Sequence, residues 1–145
     1  MLNEKNSNVT SSKASIIVEF IVYTNEEYLS NLLKNLSNNN LNISAYYISE
    51  NNKTLKFVFI VGGDDTQSPN DVNIARGILQ QNKLKFEERK VVRLKASNDI
   101  GLLAYHYKEL IKTLTVYNSY IAEDGSIIYE TCCPTKTLAV LNELS

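Results

Sequence analysis

The chain has 145 residues, 15 basic and 16 acidic, with a net charge of −1 and 43% hydrophobic residues. That balance fits one ordinary globular domain or two small ones. It excludes the basic footprint of a nucleic-acid or anionic-membrane binder, and no apolar run approaches the ~20 residues a bilayer span needs. The opening MLNEKNSNVTSSK has no apolar segment of the kind a secretory signal carries. Residues 1–13 therefore read as a polar, disordered tail, and Asn8-Val9-Thr10 as a chance glycosylation pattern. Cys132 and Cys133 are adjacent, a spacing at which disulfide geometry is strained, so they are expected to be unbonded. Together these features point to a reducing cytoplasm.

In chain order, SIIVEFIVY at residues 15–23 is β-rich and mostly apolar, as a central strand should be. Thr24 to Glu27 fits a capping box with Thr24 as N-cap, and Leu29, Leu32, Leu33 and Leu36 follow at helical spacing. Strands are expected over 41–49 and 54–61, joined by the turn Glu50-Asn51-Asn52-Lys53 into a hairpin. Ser68-Pro69 starts a second helix with Pro at its first position, and Ile74, Ala75, Ile78 and Leu79 give it one apolar face. Residues 84–95 read as extended. The same order then begins again. Residues 91–96 form a strand and 100–114 a helix with Leu103, Tyr107, Leu110 and Leu114 on one side. The strand 116–123, the tight turn Asp124-Gly125, the strand 126–131 and the helix 134–144 complete the chain.

This is an internal repeat of roughly 70 residues. Its order is β-α-β-β-α-β, the split βαβ or ferredoxin-like arrangement of an antiparallel sheet with helices on one face. The fold class is α+β. The expected organisation is a tail at 1–13, a first repeat at 14–90 and a second at 91–145 that stops before its last strand. An unfilled sheet edge would result, and exposed edges invite pairing, so a homodimer is expected.

The tandem copies, the total length and the strand–turn–helix at Asn98–Leu103 resemble small stand-alone proteins built of two ACT repeats. The family's loop, Asp/Asn-x-Pro-Gly-x-Leu, stands here as Asn98-Asp99-Ile100-Gly101-Leu102-Leu103, with Ile100 in place of Pro. A second feature, Gly-x-Asn-Ile at the start of the second strand, is matched by Leu41-Asn42-Ile43. The repeats depart from the pattern in complementary ways: Glu27 replaces the loop glycine in the first, and Val116-Tyr117 stands at the Asn-Ile position in the second, with Asn118 two residues on. The resemblance covers about residues 14–145. It implies a non-enzymatic regulatory module whose amino-acid effector sits between two units, touching the loop Asn98–Leu103 and Asn42.

The residues give a parallel argument. A glycine at a helix start lets a ligand approach the backbone, and free N–H groups there suit a carboxylate. Asn98 and Asn42 offer amide donors and acceptors, and Asp99 an acceptor for an ammonium. Ordinary helix capping by Asn98, and a surface role for Asn42, account for the same residues without a ligand.

Other candidates carry less. His106 is the single histidine, which excludes a two-histidine diad and a multi-histidine metal site, and reads as a partly buried structural residue. Cys132-Cys133-Pro134 precedes a helix that would lower a thiol pKa, yet two cysteines and one histidine are too few to close a zinc site. Gly62-Gly63-Asp64-Asp65 lacks phosphate-loop spacing. Phe57 and Phe59 alternate as an RNA-recognition strand would, without its glycines or basic setting. No cofactor, metal, nucleic acid or membrane is implied. The expected partners are an amino-acid effector, a second copy of the chain and a regulated enzyme or regulator; the alternative is an interaction scaffold whose ligand site has decayed.

Overall fold

A computed structural model describes residues 14–63, 67–95 and 101–144. The described elements are β1 (Ala14–Thr24), α1 (Glu26–Asn38), β2 (Ile43–Asn51), β3 (Thr54–Val61), α2 (Pro69–Gln81), β4 (Lys85–Leu94), α3 (Leu102–Ile111), β5 (Val116–Ile121), β6 (Ile127–Thr131) and α4 (Pro134–Leu144). The described residues divide into two compact units, one within 18–89 and one of residues 14–17 together with the described residues from 90 onward.

In the first unit the strand order is β2-β3-β1-β4, the ferredoxin-like sequence. β1 pairs antiparallel with β3, Phe20 opposite Phe59 and Thr24 opposite Leu55. β2 pairs antiparallel with β3, Tyr47 opposite Val58, with an irregularity between Ile43 and Ala45. Across β1 and β4, Arg89 faces the fully buried Glu19 at 3.8 Å and Tyr23 reaches Glu87, which fixes their opposite directions. Alternation along the strands sends Phe20, Val22, Phe57, Phe59 and Val61 into one core with Leu29, Leu32 and Leu36 of α1 and Ala75, Ile78 and Leu79 of α2. Removing such a side chain from water is worth roughly 1.5–3 kcal/mol each. On the helix-free face Ile21, Val58 and Ile60 are at most 2% exposed.

In the second unit the order is β5-β6-β4-β1. β6 pairs antiparallel with β4 and β5, Val92 opposite Tyr129 and Tyr120 opposite Ile128. Its core joins Val92, Leu94, Leu110, Ile127, Tyr129 and Leu141. The second repeat has no last strand of its own, and residues 14–17 of β1 take that position. Ala14 packs against the second core, whereas Val18 packs against the first. That position is therefore not an open edge, and self-association finds no support there.

Gln67 binds the backbone of Val18 and Val61 within the first unit. Its Oε1 accepts from Val18 N at 2.8 Å, and its Nε2 donates to Val18 O at 2.8 Å and to Val61 O at 3.1 Å. The carboxamide thus satisfies a strand residue just before the β1–β3 pairing recorded from Phe20 onward.

Two helix details differ from the expectation. α1 is capped by Asn25, whose Oδ1 accepts from Tyr28 N at 2.9 Å; Thr24 ends the strand instead. α3 turns His106 and Leu110 inward, leaving Leu103 and Tyr107 45% and 43% exposed.

Candidate functional site

Of the predicted loop, Asn98, Asp99 and Ile100 lie outside the described residues. Gly101 is the N-cap of α3, in the left-handed region at φ 85°, a conformation other residues adopt only at a cost. Among the described residues no side chain caps this helix, whereas Asn25 caps α1 and Ser68 caps α2. Tyr105 N donates to Gly101 O at 3.0 Å, so the helix winds from its first turn. Leu102 is half-buried and Leu103 exposed.

Asn42 lies just before β2. Its Nδ2 donates to Gly62 O at 3.0 Å, and its own carbonyl accepts from Gly62 N at 2.9 Å. The Asn42 amide therefore has a structural task, tying the start of β2 to the end of β3.

A concavity lies within the first unit, at the end of the sheet where β1 runs into α1. It is a groove of about 690 Å³ lined by Thr24, Asn25, Tyr28, Lys53, Lys83 and Lys85 among others. Lys53 comes from the β2–β3 turn, and Lys83 from the α2–β4 turn. Lys85 Nζ lies 5.8 Å from the Tyr23 ring centroid. Burial first, then the Glu87 carboxylate, raises the Tyr23 phenol above its ordinary 10.0. Thr24 Oγ1 is buried without a hydrogen-bond partner among the described residues. Sequence reading passed over this groove. Its signal lay in two turns, Asn52-Lys53 and Asn82-Lys83, where glycine would be the usual second residue.

His106 is buried, and burial holds its imidazole below the ordinary 6.5. Its Nδ1 has no partner among the described residues. Cys132 and Cys133 are joined in a disulfide, contrary to the expectation that neighbours stay unbonded. The β6 ladder ends at Thr131, and the chain turns there into α4, bringing the two sulfurs together. This removes one of the observations behind the reducing-compartment expectation. Among the described residues no group of three His, Cys, Asp or Glu side chains converges as a metal site would require, and no helix is long and apolar enough to cross a membrane. Phe57 and Phe59 are buried and stacked on each other at 4.9 Å, so neither is presented to a nucleic-acid base.

Comparison with protein-family models and with curated proteins found no match. Solved structures do match. The chain resembles protein BT0572 from Bacteroides thetaiotaomicron with a TM-score of 0.76 and 21% identity, over 90% of each chain. It resembles the regulatory subunit of aspartate kinase from Thermus thermophilus with a TM-score of 0.56 and 8% identity, over 91% of this chain and 95% of that one. Aspartokinase alpha and beta subunits match with a TM-score of 0.59 and 11% identity, over 90% and 95%. At these identities the likeness establishes the fold: tandem ferredoxin-like repeats, an architecture also used by regulatory subunits.

Proposed function

We propose that this chain is a non-enzymatic regulatory module of the ACT type, binding a small ligand, an amino acid, at the segment Asn98–Leu103. The observation that carries the reading is the start of α3. Gly101 opens the helix in a left-handed conformation, and among the described residues no side chain caps the first turn. Uncapped N–H groups at a helix N-terminus are donors matched to a carboxylate. The fold shared with regulatory subunits of aspartate kinase supports the regulatory part of the reading. Asn42 enters as a second contact on the resemblance alone, since its own geometry is accounted for by Gly62.

A thermal-shift screen against the twenty amino acids tests this. A ligand at about 100 times its Kd adds about 2.7 kcal/mol, a rise of several degrees in Tm. The expected outcome is such a rise for one amino acid or a small class, abolished by Asn98→Ala. No rise with any of them removes the sensor reading and leaves the interaction scaffold.

A further inference from the structure

We infer that the groove at the β1–α1 junction is a second binding site, for a compact polyanion, independent of the amino-acid reading. Three lysines from separate parts of the first unit line it, Lys53 and Lys83 on turns and Lys85 at the start of β4, and no acidic residue does. Neither Lys53 nor Lys83 has a carboxylate partner among the described residues. The volume, about 690 Å³, is that of a small-molecule site.

The backbone makes the placement more telling. Lys53 has φ 68° and Lys83 φ 55°, both in the left-handed region. Lys83 follows the C-cap Asn82 of α2, and Lys53 is the second residue of the β2–β3 turn; glycine is the least strained occupant of each position. The chain carries a lysine at both, and both residues line the same groove. A requirement of turn geometry alone would favour glycine; a requirement for positive charge at this groove accounts for lysine. A further donor suits the same ligand class, since Tyr28, which carries a phenol, also lines the groove. The shared chemistry is dense negative charge, which either phosphate or carboxylate groups supply.

The test uses the full chain, with pyrophosphate and citrate titrated separately and amide shifts read by NMR. Either anion is expected to shift Asn25, Tyr28, Lys53 and Lys83, the tighter one naming the phosphate or the carboxylate class, with binding that weakens as NaCl is added. The Lys53→Gly/Lys83→Gly variant is expected to keep or raise its Tm, because glycine relieves both turns, while its affinity falls at least about tenfold. No shift at these residues with about 10 mM of either anion, or an unchanged affinity in the folded double variant, overturns the proposal. Neither result bears on Asn98–Leu103, whose test uses a different ligand and variant.

Discussion

Asp124 organises the β5–β6 turn. Its Oδ1 accepts from Ser126 N at 2.9 Å, and its Oδ2 accepts from Ser126 Oγ at 3.0 Å and from Arg93 Nη2 at 2.6 Å. The Arg93 side chain is only 7% exposed, so the pair is shielded from solvent screening. Burial pushes the Asp124 carboxyl up, but the Ser126 donors and the Arg93 guanidinium outweigh it and hold it below the ordinary 3.8. Because the folded value is depressed, its stabilisation is complete above pH 3.8 and is lost as pH falls through the lower folded value. Asp124→Asn is expected to cost about 2 kcal/mol at neutral pH, with the gap from wild type narrowing below pH 3.8 in urea titrations. A gap that stays constant into strong acid contradicts this account of the turn. The turn Asp124-Gly125 was legible in the sequence, since Gly125 supplies the left-handed residue at φ 89°. The partner Arg93 was not, because its ion pair joins residues far apart in sequence and no local pattern encodes it. Lys53 was read as a mere turn residue and Lys83 was not singled out, for the related reason that convergence on one groove is a property of three dimensions.

At the level of elements, local chemistry fixed most boundaries. Ser68-Pro69 starts α2 as its residues dictate, with Ser68 Oγ accepting from Asn70 N at 3.1 Å. The stripe expected for α3 holds at Leu110, which is buried, and at Leu114, which packs against the core, but not at Leu103 and Tyr107, which are exposed while His106 is buried. Hydrophobicity misleads there because a neutral imidazole is tolerated inside. The sharing of β1 and β4 was also invisible, since a continuous apolar strand does not show where its partners change. That sharing makes a prediction. A chain starting at Val18, compared with one starting at Ala14, is expected to keep amide-exchange protection in residues 18–89. Protection in β6 and in residues 91–94 is expected to fall by at least about 100-fold. Equal protection of the second unit in both chains means that residues 14–17 do not serve it as its last strand.

For the whole molecule, repeat order was the most legible property. β-α-β-β-α-β followed by a second, shortened copy predicts the strand orders found in both units. Function follows less directly, because this architecture serves many tasks and only a site distinguishes them. Here the distinguishing feature is the start of α3, where Gly101 stands in the left-handed region and no side chain among the described residues caps the helix, opposed to the capped starts of α1 and α2. The most direct measurement is an NMR amide map of the full chain titrated with the amino acid that gives the largest thermal shift. The account predicts saturable shifts centred on residues 98–103, lost on Gly101→Ala in a variant that still folds. Shifts centred elsewhere, or none with any of the twenty, contradict it.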